Sequence, residues 1–297
     1  MSATLAAGAP PSPRRARIRR RRRFSLAAQV LLGVVLLIWT LTPLYTMVQT
    51  ALEPKDKVFN GSLLPVEPTL SGFWTVLTQD YWYLAHFWHE MGNSVWIGVA
   101  TAALTLIVGT LTSFVISRMR IRGGWLLSNA ALLTYVIPMS FLAIPFYRVM
   151  QTYGLSDHLW AVIIVEVTFA TPYAIFIFVQ YGSSIPIQLD EAARIDGATP
   201  WQIYFRVYLP LMAPSMVAVG TYALLLAWNE YLYLYVLLSS PSNMTVPVAL
   251  GQFLNSDEAP WNLMMATAVI YAIPPIVVYY AFRRYMSSGL TMGGVKG

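Results

Sequence analysis

Arg19-Arg-Arg-Arg-Arg23-Phe-Ser-Leu26-Ala-Ala-Gln-Val-Leu-Leu-Gly-Val-Val-Leu-Leu-Ile-Trp-Thr-Leu-Thr-Pro-Leu-Tyr-Thr-Met47 sets a run of arginines directly against a long apolar stretch. About 20 apolar residues cross the hydrocarbon core of a bilayer as a helix, and Leu26–Met47 reaches that length without a charged side chain. It exceeds the roughly 7–15 residues of a secretory signal core, and no small-residue cleavage site follows, so it reads as an uncleaved anchor. Arginines beside such a span bind anionic headgroups and hold that end in the cytoplasm. The preceding Pro10-Pro11-Ser12-Pro13 predicts a disordered basic cytoplasmic segment over residues 1–24. Against that background the arginine run is a membrane anchor and not a nucleic-acid site.

The rest of the chain extends this reading. Its 297 residues are 57% hydrophobic and only 11% charged, with a mean hydropathy of +0.57; a soluble domain carries about 25% charged residues. Five further stretches have spanning length: Ser94–Ile116, Trp125–Met150, Leu159–Tyr181, Leu211–Leu238 and Leu263–Phe282. With six spans, only Lys55, Lys57 and Arg148 of the 19 basic residues fall on the side opposite the N-terminus. That bias predicts both termini in the cytoplasm. The expected fold class is an all-α integral membrane protein of six transmembrane helices, with a membrane domain over 25–284 and a cytoplasmic tail over 285–297. Pro138, Pro145, Pro172, Pro274 and Pro275 are expected to kink their spans. The outer loop Thr50–Met91 is expected to be irregular, with a short amphipathic helix near Tyr81–Glu90.

Several chemistries are excluded. The chain has no cysteine, hence no disulfide and no thiolate metal site. His86-Phe-Trp-His89-Glu90 lacks the HExxH spacing of a zinc protease. Lys55, Lys57 and Lys296 are followed by Asp, Val and Gly, so no phosphate-binding GxxxxGK[ST] loop can form. With no nucleophile–base pair visible, the chain reads as a non-catalytic membrane subunit with no cofactor of its own, driven by a partner or by a gradient.

The most informative connection is Ser183-Ser-Ile-Pro-Ile-Gln-Leu-Asp-Glu-Ala-Ala-Arg-Ile-Asp-Gly197-Ala-Thr-Pro-Trp-Gln-Ile-Tyr-Phe-Arg-Val-Tyr-Leu-Pro210. It predicts two short helices and a joint, an elbow over 183–210. Pro186 suits the first position of the first helix. Gly197 suits the left-handed position that closes it. Thr199-Pro200-Trp201-Gln202 has the capping-box pattern opening the second. Asp190 and Arg194 are spaced for an i,i+4 ion pair. Ala192 and Ala193 leave a low face open to close approach.

These residues resemble the EAA motif of ABC importer permeases: Glu191-Ala192-Ala193, Asp196-Gly197-Ala198, then Val207-Tyr-Leu209-Pro210, with Val207 where the family has Ile. The Trp228-Asn229-Glu230-Tyr231 run and the C-terminal Gly289-Leu-Thr-Met-Gly-Gly-Val-Lys-Gly297 resemble the maltose-transporter type, on the side of the smaller permease. The resemblance implies a type I importer permease fold in the bacterial inner membrane. It implies carbohydrate uptake by alternating access, with Glu191, Ala192, Ala193, Asp196 and Gly197 forming a coupling helix that docks on an ATPase. Thr291, Gly293, Gly294 and Lys296 of the tail would also reach the ATPase. The implied partners are a second, non-identical permease, two ATPase subunits that bind ATP and Mg, and an extracytoplasmic sugar-binding protein.

Two carboxylates fall inside spans, Glu166 and Glu230. A central carboxylate costs roughly 2.5–3.5 kcal/mol on insertion scales and usually faces the bundle interior or a water-filled cavity. Trp228, Asn229, Glu230 and Tyr231 together offer a carboxylate, an amide and aromatic faces, a set that suits a sugar pathway or, alternatively, contacts with a partner permease. Glu166 is expected near the outer end of its span, solvated at the interface. The competing function is a gradient-driven transporter or channel that uses Glu230 as its ion site.

Overall fold

The computed structural model describes residues 13–119, 121–255 and 259–291, which form helices and short connections with no strand among them. Helix α1 runs Pro13–Leu52. Over 13–24 it departs from the expected disorder: the chain is helical from Pro13, because arginine is a good helix former and no proline intervenes before Pro43; the rest of that expected segment, 1–12, lies outside the described residues. In the following loop α2 forms at Ser71–Thr78, earlier than expected, and stops at Gln79 in the left-handed region. A 3₁₀ turn at Trp82–Leu84 leads into α3, Phe87–Arg118, which takes in Glu90.

The third apolar stretch is not one helix. Helix α4, Gly124–Leu133, and α5, Ala143–Thr152, flank two 3₁₀ turns, and the segments 126–136 and 139–152 are bent by 89°. Pro138 is the cause: it pushes Ile137 to an extended ψ of 120° and supplies no amide. Pro145 lies in the first turn of α5, where no amide is needed, and continues the helix. Helix α6, Leu159–Ser184, passes through Pro172, and α12, Trp261–Thr291, passes through Pro274 and Pro275 and beyond the expected boundary at residue 284.

The elbow holds α7, Gln188–Ile195, and α8, Pro200–Ile203. The expected second elbow helix is not separate. A π-helical turn at Tyr204–Tyr208 joins α8 directly to α9, Leu209–Trp228, so the fifth span runs from Pro200. The widened turn precedes Pro210, whose ring would otherwise meet the carbonyl four residues back. The same stretch breaks at Asn229–Tyr231, short of Leu238, and resumes as α10, Leu232–Leu237. Helix α11 spans Val246–Gln252.

Helix α3 is central, packed on α6 and α9, while α12 packs on α1 and α9. At the elbow end, Phe114, Phe178, Tyr204 and Tyr208 form one core. At the far end, Trp160 of α6 meets Trp96 of α3 with ring centroids 6.0 Å apart. The chain therefore leaves α3 at the elbow end and re-enters α6 at the far end, so the bent α4–α5 pair crosses. Small residues permit this closeness. A Cβ on Gly182 would lie 2.6 Å from the Tyr208 hydroxyl, which hydrogen-bonds Ser113 Oγ at 2.7 Å.

The far-end loops are tied by Asp157, itself left-handed with φ 59°. Its Oδ1 accepts from the amides of Ser239 and Ser240 at 2.8 and 3.0 Å, its own amide donates to Leu237 O, and its carbonyl accepts from Asn243 Nδ2. Partial burial alone would raise the carboxyl, but the Ser239 and Ser240 amides lead the groups that bring it down to about 2.

Gly182→Ala should displace the Tyr208 hydroxyl and cost about 1–3 kcal/mol, read as a lower unfolding temperature in detergent. Gly92→Ala, which meets open space in α3, should be neutral or slightly stabilising. For Asp157 the sign follows from a lowered folded-state value. Its stabilisation is complete above about pH 4, the unfolded value, and is lost as pH falls through about 2. Asp157→Ala should remove it at neutral pH, seen as faster amide exchange at Ser239 and Ser240.

Candidate functional site

The elbow is built from local rules and one distant partner. Helix α7 opens at Gln188 with Ile187 as its cap, so Pro186 sits just outside the first turn instead of at its first position. The Ile187 carbonyl accepts from the amides of Asp190 and Glu191, at 3.0 and 3.1 Å. Both acids lie in the first turn, where they complement the helix dipole. The helix closes in a Schellman turn: Ala198 N donates to Ala193 O at 2.9 Å and Gly197 N to Arg194 O at 3.0 Å, with Gly197 at φ 80°. Thr199 then caps α8. Its Oγ1 accepts from Gln202 N, and Gln202 Oε1 accepts from Thr199 N at 2.7 Å.

The two faces of α7 differ. Glu191, Ala192, Arg194, Asp196 and Gly197 are exposed, and Ala193 is half-buried. Ile195, which the spacing argument passed over, is 87% exposed at the tip. Asp190 faces inward and is buried, and its expected i,i+4 partner Arg194 points to solvent. The ion pair is instead with Arg118 at the end of α3, Nε to Oδ2 3.5 Å. A tertiary neighbour displaced the local one because Asp190 is buried against the end of α3, while Arg194, one turn further along α7, is exposed. The signal available in the sequence was an acid on the inner face of a helix, which requires a base from elsewhere. Arg118 is the first base after the second span.

The second candidate region is the break at the end of α9. Trp228 is buried, its ring 4.7 Å from that of Tyr271 and stacked on it, and Tyr271 donates a hydrogen bond to the Trp228 carbonyl at 2.8 Å. Its indole is thus packed inside this chain. Asn229 is exposed, with Nδ2 donating to Leu225 O at 2.7 Å. Glu230 Oε1 accepts from the Tyr233 amide at 2.8 Å and so satisfies the restart of the helix. Tyr231 is exposed and stacks on Tyr235 at 5.9 Å. The Tyr233 hydroxyl donates to Met139 O at 2.6 Å, joining this break to the α4–α5 bend.

Glu166 departs from its expectation. It is 1% exposed and two turns into α6; it is not solvated at an interface. Its Oε1 has no hydrogen-bond partner among the described residues, and Glu230 lies near enough to interact with it electrostatically. Of the tail residues, Thr291 ends α12, while Gly293, Gly294 and Lys296 lie outside the described residues. No cluster of three metal-ligating side chains occurs among the described residues.

Residues 105–292 match the family described as binding-protein-dependent transport system inner membrane component. The inner membrane ABC transporter permease protein YcjP of Escherichia coli K12 is 31% identical over 263 residues, spanning 88% of this chain and 93% of that protein. The trehalose transport system permease protein SugB of Mycobacterium tuberculosis is 32% identical over 261 residues, spanning 87% and 93%. A chain from the crystal structure of a bacterial ABC transporter involved in alginate import superimposes with a TM-score of 0.73 at 26% identity, covering 93% of this chain and 99% of that one. The five helices long and apolar enough to cross a membrane, six if the bent α4–α5 pair is one span, and the elbow thus sit in an inner-membrane protein with the type I importer permease fold, and the chain belongs to the binding-protein-dependent transport system inner membrane component family.

Proposed function

We propose that the chain is the transmembrane permease subunit of an ATP-driven carbohydrate importer. The observation that carries this reading is the elbow. Helix α7 projects Glu191, Arg194 and Ile195 out of the bundle, and its Gly197 turn leads through α8 into the fifth span without a break. An element of that kind passes a push from a soluble partner into the membrane. The chain has no phosphate-binding loop, so two partner ATPase subunits bind ATP and Mg. Glu191 is the docking carboxylate, Ala192 and Ala193 the face of close approach, Asp196 and Gly197 the turn. The elbow end and both termini face the cytoplasm, in keeping with the basic-residue bias, and the tail from Thr291 to Lys296 reaches the ATPase pair.

A second, non-identical permease completes the pathway, and an extracytoplasmic sugar-binding protein delivers the substrate. Carbohydrate is favoured as cargo by the relatives, one named for trehalose and one structure for alginate. Non-helical backbone at membrane depth is tolerated where it is buried in protein or lines water. The break at Asn229–Tyr231, with Asn229 and Tyr231 exposed, therefore supports a pathway lining of Asn229, Glu230 and Tyr231, with Trp228 as its packed backing. ATP-driven closure of the ATPase pair moves α7 and rocks the spans between two access states.

Purification through a tag on this chain should bring down a second permease and an ATPase, and Glu191→Lys or Gly197→Asp should leave the chain inserted but abolish uptake of the binding protein's sugar. Uptake that persists without any ATPase subunit would support the gradient-driven alternative. Glu230→Gln keeps an acceptor for the Tyr233 amide but removes the charge. It should lower uptake about tenfold or more with assembly unchanged, whereas unchanged uptake and substrate preference would make Glu230 structural.

A further inference from the structure

We propose that Arg118 and Asp190 form a strut that makes α3 and the elbow move as one body, with Arg118 as the positioning residue for α7. The idea deepens the reading of the elbow as the ATPase contact and rests on it. Arg118 is the last residue of α3, and its guanidinium meets the elbow three times. Before α7, Nη1 donates to Ile185 O at 3.1 Å. Within α7, Nε lies 3.5 Å from Asp190 Oδ2. After α8, the guanidinium carbon sits 5.6 Å from the ring centroid of Tyr208. One side chain thus gathers the entry, the inner face and the exit of the elbow.

The same face of α3 is bonded to the elbow's exit one and two turns higher. Ser113 Oγ pairs with the Tyr208 hydroxyl at 2.7 Å, and Thr110 Oγ1 with the Tyr204 hydroxyl at 2.8 Å. Displacement of the elbow is therefore carried to α3, which packs on both α6 and α9. The ionic side chains are only 3% and 1% exposed, so neither charge can be left alone. Yet Arg118 Nε and Nη2 and both Asp190 oxygens lack hydrogen bonds among the described residues. A cavity of about 330 Å³ opens beside them, lined also by Glu191 and Arg194. Attraction between charges falls slowly with distance, whereas a hydrogen bond depends on angle. The contact resists separation while tolerating small rotations, which are the properties of a strut with a pivot. Arg194, one turn further along α7, is exposed, so the buried carboxylate of Asp190 has its ion pair with α3.

The test uses the whole complex purified from its membrane. Amide exchange over residues 189–198 reports the strut. Maleimide labelling of N229C, in a chain otherwise free of cysteine, with and without ATP and vanadate, reports transmission to the far end. Arg118→Gln and Asp190→Asn should each speed elbow exchange about tenfold and shrink the nucleotide-dependent labelling change about fivefold or more. The double variant should be no worse than the worse single, since both charges are then gone, and Arg118→Lys should retain most of the protection. Singles that behave as wild type, or a double variant in which two separate effects multiply, would overturn the proposal. If nucleotide leaves labelling unchanged in the wild-type complex, the elbow reading fails instead, and the exchange data still decide whether the strut exists.

Discussion

Hydrocarbon offers a backbone no hydrogen-bond partner, and a departure from helix inside a span has to be repaired from within. The repairs are specific side chains. Where Pro138 breaks the third span, the Tyr233 hydroxyl donates to the carbonyl of Met139. Where α9 stops at Asn229, the Glu230 carboxylate takes the amide of Tyr233 and restarts the helix. Tyr233, buried at 1% exposure, therefore serves both breaks and holds them side by side. Two weaknesses placed together in this way leave α3, α6 and the Pro200–Trp228 helix as unbroken rods.

The elbow obeys the same rule at the bundle's end. Its turn is satisfied locally by the Schellman bonds at Gly197 and the capping box at Thr199. Its entry is satisfied at a distance, by Arg118 on Ile185 O. Because α8 passes into α9 through the π-turn, the elbow is an extension of a span and not a separate appendage. Its polar anchors all lie on one face of α3, while the Glu191 face of α7 stays open.

Local chemistry was readable wherever the partner lies within a few residues. The Thr199–Gln202 box and the left-handed Gly197 are properties of four or five consecutive side chains, and both appear as expected. Asp190 shows the opposite case. Its spacing to Arg194 satisfies a helix rule worth only about 0.2–0.5 kcal/mol, and burial against Arg118 easily overrides it. Glu166 and Trp228 differ from expectation for a related reason: apolar length shows that a residue is inside the membrane, not which side of the helix it faces. The resemblance at Glu191-Ala192-Ala193 and Gly197 located the elbow as the candidate site, but it could not reveal that the site is held from α3.

The sequence by itself determined the membrane class, the stretches of spanning length and the position of the elbow, because apolar length and caps are one-dimensional quantities set by neighbouring residues. The kink expected at Pro138 is an 89° break; only the tertiary structure decided that the second elbow helix belongs to the fifth span, and that Arg118 and not Arg194 pairs with Asp190. Those outcomes turn on which helix faces meet, and in a chain apolar on nearly every side the hydrophobic pattern does not say which face is which.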